Sequence, residues 1–411
     1  MGELFQARTV REARELLGGH IKTTCPVEQV QLLKALGRRL AQDLVAVDAV
    51  PGFDRSTMDG FAVRARDTFG ATESLPSYLD VTGEVLMGRD AGTAGVVGVG
   101  QAWRIPTGGM LPPGADAVVM LEYTEELDDM TIGVTRPVAP GDYIVRTGED
   151  IAPGAGVLPR GHILRPQDLG LLAAVGVDDV PVFMPARVGI ISTGDELVET
   201  REQPGPGQVR DINSYALYGQ AAAAGAQPCI YGIIRDDFKL LLDRLRQALA
   251  ECDLVLLSGG SSVGARDVAA RVLDTLGSPG VLFHGISIKP GKPTVGAVVD
   301  GKPVFGLPGH PVSAMVVFDL LVTPLLKYGF YLRDQLEFPV RARLTRNMRS
   351  AAGREDYLRV RLYQENGEVI ADPVLGKSGL ISTMVQADGL ARIPAEKEGI
   401  EAGENIEVKL F

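Results

Sequence analysis

A glycine- and serine-rich segment near the middle of the chain has the composition of a phosphate-binding turn. It follows a short apolar run, residues 254–257, and precedes a helical pattern of apolar residues that ends near Leu276. Glycines let backbone N–H groups approach an anion, and the N-terminus of the following helix adds partial positive charge. The residues that we expect to bind phosphate groups here are Ser258, Gly259, Gly260, Ser261, Ser262 and Gly264.

Asp267 follows this segment closely. A carboxylate beside phosphate groups repels them unless a cation lies between, so we expect a hard metal ion, Mg²⁺, at this place. A simpler interpretation stays open, namely a tight strand-to-helix turn with Asp267 in the first turn of the helix, where its charge favours the helix dipole.

Two other predicted strands are also followed by acidic residues. Thr193 and Glu196 follow one of them, and Asp236 follows the next along the chain. Ligand-binding loops of a parallel sheet lie at the carboxyl ends of its strands, so Glu196, Asp236 and Asp267 converge if the strands are adjacent. We expect these three carboxylates to bind Mg²⁺ beside the phosphates. Helix capping also explains Asp236 and Asp267, but it explains Glu196 less easily.

Two proline-braced turns supply the opposite charge. Lys289 and Lys292 lie three residues apart in Lys-Pro-Gly-Lys-Pro, where the prolines reduce the entropy lost on fixing two ammonium groups. The next such turn contains Pro308 and Pro311 and leads into a predicted helix with Ser313 in its first turn. We expect these turns to bind an anion. The simpler alternative is that the lysines are solvated and the turns are only structural.

Composition limits the class of protein. The 411 residues are 45% apolar and 23% charged, which is typical of a globular chain of several domains. Acidic residues outnumber basic ones by 52 to 41, and no basic block occurs, so nucleic acid is not expected as a partner. The three cysteines lack metal-ligand spacing and are interpreted as reduced thiols. No targeting segment or membrane-length apolar run is evident, so we expect a cytoplasmic protein without a membrane partner.

Strands that alternate with helices from about residue 187 predict βαβ units. The predicted fold is therefore α/β and multidomain, with a central parallel sheet. Asp300-Gly301 between two apolar runs predicts a hairpin, and apolar spacing predicts helices at 8–19 and 27–36. The predicted parts are an N-terminal helical segment that packs on the linker and central domains (1–28), a mixed linker domain (29–52 and 146–183), a β-rich domain (53–145), the α/β domain (184–330) and a C-terminal β domain (331–411).

The order of the motifs resembles the molybdopterin molybdenumtransferase family, which includes the bacterial MoeA proteins and the C-terminal E domain of gephyrin. The resemblance covers essentially the whole chain. It rests on the segments already described and on Ser-Thr-Met-Asp-Gly-Phe-Ala at 56–62, Pro-Thr-Gly-Gly at 106–109, Pro-Gly-Ala-Asp-Ala-Val-Val at 113–119, Arg-Thr-Gly-Glu-Asp at 146–150 and Thr-Gly-Asp-Glu-Leu at 193–197. One residue departs from the family pattern, because His310 stands where asparagine is common.

The resemblance implies an activity and an assembly. The activity is insertion of molybdate into adenylylated molybdopterin, a Mg²⁺-dependent step that releases AMP and gives molybdenum cofactor. The assembly is a homodimer whose cleft combines the central molybdopterin-binding domain, the C-terminal domain and the β-rich domain of the partner subunit. The molybdopterin adenylyltransferase and the enzymes that accept the cofactor are implied as further partners.

The resemblance also assigns roles to residues of this sequence. The implied catalytic residues are Asp59, Thr107, Asp150, Glu196, Asp236 and Asp267, of which the last three surround Mg²⁺. The implied pterin- and nucleotide-binding residues are Thr193, Ser258, Gly259, Gly260, Ser261, Ser262, Gly264, Pro308 and Pro311. The implied molybdate-binding residues are Lys289, Lys292, Ser313, Arg354 and Ser378. Turn formation is the alternative for Asp59, Thr107 and Asp150.

Two other classes of function stay open beside this enzyme. A competence-type or regulatory protein that hydrolyses a nucleotide pyrophosphate would keep the glycine-rich turn and the acids without needing the lysine pair. A scaffold for receptor tails would use a groove on the C-terminal domain, but no additional peptide-binding segment is evident. Molybdate and tungstate have the same charge and nearly the same size, so the predicted anion site fits both.

Overall fold

The computed structural model describes residues 7–259, 263–330, 340–376 and 382–411. The chain divides into two compact units: unit 1 comprises Met1–Glu28 and Phe183–Phe411, and unit 2 comprises Gln29–Val182. The finer division into five parts stays a prediction.

The helices of the described residues are short. The α-helices are α1 (Val10–Gly18), α2 (Pro166–Ala174), α3 (Asn213–Ala223), α4 (Phe238–Glu251), α5 (Val263–Leu276), α6 (Pro311–Val317), α7 (Thr323–Tyr328) and α8 (Ser382–Val385). Short 3-10 helices lie at Leu32–Lys34, Ala65–Thr68, Ala91–Thr93 and Leu121–Tyr123, and a π-helical turn, Phe318–Val322, joins α6 to α7. None of these helices is long and apolar enough to cross a membrane.

Strands make up most of the remaining regular structure. Up to residue 183 they are β1 (Val27–Gln31), β2 (Leu44–Val45), β3 (Arg55–Ser56), β4 (Gly60–Val63), β5 (Ser77–Glu84), β6 (Gln101–Ile105), β7 (Ala117–Met120), β8 (Thr124–Asp128), β9 (Thr131–Val134), β10 (Ile144–Val145), β11 (Gly156–Leu158) and β12 (Asp179–Phe183). The later strands are β13 (Arg187–Thr193), β14 (Leu197–Val198), β15 (Val209–Arg210), β16 (Gln227–Ile234), β17 (Leu254–Gly259), β18 (Pro279–His284), β19 (Ile288–Lys289), β20 (Val295–Val299), β21 (Lys302–Leu307), β22 (Val340–Leu344), β23 (Met348–Arg349), β24 (Glu355–Glu365), β25 (Glu368–Pro373), β26 (Gly389–Ile393), β27 (Gly399–Ile400) and β28 (Asn405–Leu410).

Unit 1 contains a six-stranded sheet with the strand order β16-β13-β17-β21-β20-β18. The first four strands pair in parallel, whereas β20 pairs antiparallel with both β21 and β18. The sheet is therefore mixed, which corrects the prediction of a parallel sheet. The reversal occurs at the predicted hairpin, where Asp300 and Gly301 both have positive φ (50° and 88°), as a two-residue hairpin turn requires.

The helices cover this sheet with apolar faces. In α4 the buried residues Leu241, Leu245 and Ala248 recur at helical spacing, and they join a core with Val255 and Val304. The side chain of Asp237 caps the same helix by accepting a hydrogen bond from Leu240 N at 2.9 Å. Helix α1 packs on β18 and β20, while α3 packs on α6, β13 and β16.

The C-terminal strands of unit 1 form a barrel-like domain. Strands β24, β25, β22, β28 and β26 pair in that order, and β24 also pairs with β26, so the sheet closes on itself. The short strand β19 adds to this sheet in parallel with β24, and it brings Lys289 opposite Asp356. The turn that carries the predicted lysine pair is thereby attached to the C-terminal domain.

Unit 2 contains another six-stranded mixed sheet, with the order β7-β4-β6-β5-β9-β8. Its core includes Phe61, Leu79 and Ile132, which are buried on one side of the sheet. Two of its strands, β7 and β9, are runs of four residues with mostly buried side chains. This sheet positions the segments that hold Asp59 and Thr107.

The predicted helix at 27–36 was wrong. The segment forms strand β1 and then the 3-10 helix Leu32–Lys34. Leu33 and Leu36, which the helical pattern placed on a buried face, are 88% and 52% exposed. Short apolar runs fit both periods, so the pattern by itself did not separate strand from helix. A turn follows the segment at Gly37, which has a φ of 73°.

Candidate active site

The loops that carry the predicted chemistry leave the unit 1 sheet at one edge. Strand β13 lies between β16 and β17, and Thr193 pairs with both Ile234 and Gly259 at the strand ends. Ser258 pairs in turn with Leu307 at the end of β21. The strands that precede Glu196, Asp236 and the glycine-rich turn are therefore adjacent, which is the condition for these loops to converge.

Two cavities lie next to this edge. The first has a volume of about 550 Å³ and is called the larger cavity. Four of the predicted molybdate-binding residues line it: Lys289, Lys292, Ser313 and Arg354. Ser313 is 5% exposed, whereas both lysine side chains reach solvent. Pro308 also lines this cavity, together with residues of β24 and the segment after β25. The arrangement brings several cationic donors to one space, which suits a multiply charged anion.

Asp356 organises the cations of the larger cavity. Its carboxylate is 3% exposed and accepts a hydrogen bond from Arg354 Nε at 2.9 Å. Its other oxygen, Oδ2, lies 3.8 Å from Lys289 Nζ. Since one buried carboxylate faces two cations, part of their positive charge stays available to an anion in the cavity.

A second cavity, of about 270 Å³, is called the smaller cavity; it shares the lining residues Thr193, Gly259, Gly309 and His310 with the larger one, so the two cavities adjoin. It is also lined by Glu196, Asp211, Asn213, Ser258 and Pro311. Its polar lining includes hydroxyl, amide and carboxylate groups together with one arginine, Arg210. His310, the departure from the family motif, thus lies where the two spaces meet and immediately precedes α6.

Asn213 is the most constrained polar group of the smaller cavity. Its Nδ2 donates to Ser258 Oγ at 2.7 Å and to Gly309 O at 2.9 Å. Its Oδ1 atom is buried and has no hydrogen-bond partner among the described residues. A buried acceptor without a donor is costly, so this oxygen is available to a donor group of a ligand.

The predicted acidic residues lie at the same sheet edge. The pKa of Asp236 is raised, first because the surrounding protein partly desolvates its carboxylate, and then because Asp195 and Glu196 repel its charge. Within the described ranges, no three acidic, histidine or cysteine side chains form a group that could hold a metal ion. The side chain of Asp267, in α5, is outside the described part of the chain, so the predicted set of three is only partly described.

Position 259 requires glycine, because the ends of β13 and β17 lie too close together there for a side chain. Its φ is 131°, and a Cβ atom there would collide with the backbone oxygen of Thr193. Gly264 lies in the first turn of α5. Gly260, Ser261, Ser262 and Ser378 lie outside the described residues.

The remaining predicted residues belong to unit 2. Asp59 Oδ1 accepts hydrogen bonds from Thr107 N at 2.7 Å and from Thr107 Oγ1 at 3.0 Å. These bonds lower the pKa of Asp59, because they stabilise its ionised form. Asp150 lies on an exposed turn. The sequence predicted these three residues but gave no sign that Asp59 and Thr107 contact each other.

Three site residues were missed by the sequence analysis: Asn213, Asp356 and Arg359. Arg359 alternates with hydrophobic residues in β24, where charged residues are usually interpreted as solvent-facing, and Asp356 lies beside another acid, Glu355, at the start of that strand. Asn213 starts α3 and resembles an ordinary capping residue. The local sequence around each has a structural explanation, and only the tertiary contacts distinguish them.

Comparison with known proteins identifies the class. The family model described as MoeA N-terminal region (domain I and II) matches residues 8–176. The model described as probable molybdopterin binding domain matches residues 189–328, and MoeA C-terminal region (domain IV) matches residues 341–411. This chain belongs to the MoeA family.

Individual relatives resemble the chain over nearly its full length. Molybdopterin molybdenumtransferase 2 of Mycobacterium tuberculosis is 36% identical over 411 residues, covering 98% of this chain and 99% of that protein. The molybdopterin molybdenumtransferase of Bacillus subtilis is 34% identical over 396 residues, covering 95% and 91%. The crystal structure of the molybdopterin biosynthesis MoeA protein from Pyrococcus horikoshii has a TM-score of 0.84 at 36% identity, covering 99% and 100%.

Proposed function

We propose that this chain is a molybdopterin molybdenumtransferase, which acts in molybdenum cofactor biosynthesis by inserting molybdate into adenylylated molybdopterin and releasing AMP. The observation that carries the proposal is that two adjoining cavities share lining residues at one edge of the sheet. One collects Lys289, Lys292, Ser313 and Arg354, and the other is lined by polar groups at the end of a sheet. The names of the relatives agree with this activity.

Molybdate fits the larger cavity on chemical grounds. It is a tetrahedral dianion, so it needs several donors that converge from different directions. Two ammonium groups, a guanidinium and a buried hydroxyl offer such donors, and charge-assisted bonds of this kind are about twice as strong as neutral ones. Tungstate has the same requirements, and competition between the two anions distinguishes which is preferred.

The pterin and its nucleotide fit the smaller cavity and the adjoining turn. Thr193, Ser258, Asn213 and Pro311 provide polar and apolar contacts there, and the free Oδ1 acceptor of Asn213 suits an N–H or O–H group. The two ligands would then meet where the cavities share Thr193 and His310. No cysteine is required, because the sulfur atoms that bind molybdenum belong to the pterin.

The acidic residues fit Mg²⁺. Glu196, Asp236 and Asp267 would hold it, because carboxylate oxygens are the ligands that this ion prefers. Crowding of Asp236 by Asp195 and Glu196 supports this assignment, since a divalent cation would relieve the repulsion that raises the pKa of Asp236. When bound, Mg²⁺ offsets negative charge on the pyrophosphate linkage that is cleaved.

The proposal also gives a role to three residues of unit 2, namely Asp59, Thr107 and Asp150, which would act in the cleft of a second subunit. In a cytoplasmic homodimer, the β-rich domain of one subunit would supply these residues to the cleft of the other. The bond from Thr107 to Asp59 supports a fixed, ionised carboxylate, which suits a role with cationic or hydrogen-donating groups. Sedimentation of the purified chain tests the homodimer.

The direct test of the activity is AMP release. Purified protein is incubated with adenylylated molybdopterin, and AMP is measured with and without molybdate and with and without Mg²⁺. We expect release to require both additions. Release that ignores molybdate would favour a nucleotide pyrophosphatase, and no release under any condition would contradict the proposed function.

A further inference from the structure

Arg359 is a buried cation in the wall of the larger cavity. It lies on β24 and is 8% exposed. Its Nη2 atom donates to Gly376 O at 2.7 Å, but its Nε atom is buried without an acceptor among the described residues. A guanidinium whose donor has no partner is expensive to bury, because neither water nor protein replaces its lost hydration.

Two other cations of this cavity face a carboxylate. Arg354 and Lys289 share the carboxylate of Asp356. No carboxylate oxygen of the described residues lies within 4.0 Å of the Arg359 guanidinium nitrogens. Burial lowers the pKa of Arg359 through desolvation, yet arginine stays protonated in proteins. The cavity therefore contains a full buried positive charge that its described surroundings do not neutralise.

A purely structural role for Arg359 would explain its hydrogen bond to Gly376 O but not its unpaired Nε atom. The bond to Gly376 O fixes the backbone after β25, but a neutral donor would do the same at lower desolvation cost. The unused Nε donor and the unbalanced charge are explained if the space beside Arg359 is filled by an anion in the working protein. The fork of a guanidinium also matches the oxygens of a tetrahedral oxyanion better than an ammonium does.

We infer that Arg359 is a further binding residue for a tetrahedral oxyanion in the larger cavity, beyond Lys289, Lys292, Ser313 and Arg354. The inference rests on the proposed function, because it adds a ligand to the anion site of that reaction. Two sources share the required chemistry, molybdate itself and the phosphate of the pterin, and the experiment separates them.

The test uses the purified full chain with sodium molybdate and sodium phosphate in separate titrations, followed by calorimetry and by the shift in Tm. We expect Arg359→Met to weaken binding of one of these anions at least tenfold and to remove its Tm shift. The source of the anion is the one whose binding is lost. Without anion, the variant should be at least as stable as wild type, since a buried uncompensated charge is gone.

Two other variants make the outcome unambiguous. Arg361→Met changes an exposed arginine two residues along the same strand and should bind both anions as wild type does. Arg359→Lys keeps the charge but not the fork, so it should bind more weakly than wild type and serves if the methionine variant fails to fold.

Several results would overturn the inference. If folded Arg359 variants bind both anions with wild-type affinity, the residue has only a structural role, through its hydrogen bond to Gly376 O. Wild-type protein that binds neither anion would also overturn it. If AMP release still required molybdate in either case, the proposed function would stand while the role of Arg359 fell.

Discussion

Lys289 lies directly opposite Asp356 in the parallel pairing of β19 with β24, and its Nζ atom is 3.8 Å from Asp356 Oδ2. Arg354 donates to the same carboxylate from the other side. One buried acid thus positions two cations from separate domains of the sequence. The pairing attaches the lysine-containing turn to the C-terminal barrel, so the proposed anion site forms only when both parts are folded.

Replacing both lysines tests that anion site. We expect Lys289→Gln with Lys292→Gln to raise the molybdate concentration required for AMP release about a hundredfold or more, because each of the two lost charge-assisted contacts contributes about 1.5 kcal/mol, or about tenfold. Binding of adenylylated molybdopterin should be nearly unchanged. A molybdate titration in single-turnover conditions measures the first quantity, and a separate binding assay measures the second. Lys239→Gln on α4 is the control, and loss of pterin binding with normal molybdate dependence would reassign the lysines.

The raised pKa of Asp236 predicts a pH effect on stability. Between the ordinary and the raised pKa the folded chain binds more protons than the unfolded chain, so stability falls as pH rises through this range. Asp236→Asn should remove that fall and raise the Tm at neutral pH in the absence of metal. It should also reduce the stabilisation that Mg²⁺ gives to wild type. Melting curves from about pH 4 to pH 7, with and without Mg²⁺, measure both effects.

The neighbouring residue provides the control for this experiment. Asp237→Asn keeps a good capping residue at the start of α4, so it should leave this helix and the response to Mg²⁺ as they are in wild type. An Asp236→Asn profile that coincides with wild type, with the same response to Mg²⁺, would exclude Asp236 from a metal site.

Asn213 allows the two cavities to be tested separately. We expect Asn213→Ala to weaken binding of the adenylylated pterin, because Ser258 and Gly309 lose their shared donor and the ligand loses the Oδ1 acceptor. The free energy of unfolding should fall by about 1–3 kcal/mol. Molybdate binding alone, measured by calorimetry, should stay close to wild type. Asn405→Ala on exposed β28 is the control, and equal loss of both ligands would contradict separate binding spaces.

The backbone at Gly259 should not tolerate a side chain. Gly259→Ala combines a φ of 131° with a collision at Thr193 O, so we expect unfolding free energy to fall by about 1–3 kcal/mol or more. Gly219→Ala in α3 meets no atom within 4 Å and should instead stabilise the chain by about 0.5–1 kcal/mol. Urea denaturation of the two variants measures the difference. Equal stability would mean that the ends of β13 and β17 move apart easily.

Local chemistry in the sequence was enough to predict several features of unit 1. The apolar run before Ser258 and the hairpin at Asp300-Gly301 each depend on neighbouring residues only, through the burial period and the turn conformation. The motifs were also enough to indicate the family, because their order along the chain carries information that no single motif has. The strand β1 was misassigned because its short apolar pattern fits two periods.

Contacts between distant segments were decided by the tertiary structure. Nothing near Lys289 in the sequence indicates that it pairs with Asp356, and nothing near Arg359 indicates that it is buried without a carboxylate. The pairing of β19 with β24 fixes the first, and packing around β24 fixes the second, because strand pairing and burial depend on residues far apart in the chain. The sequence by itself therefore determined the motifs, the family and the elements whose signal is local and unambiguous. The charge balance inside the larger cavity was decided only by folding, since desolvation and pairing of a charged group depend on everything packed around it.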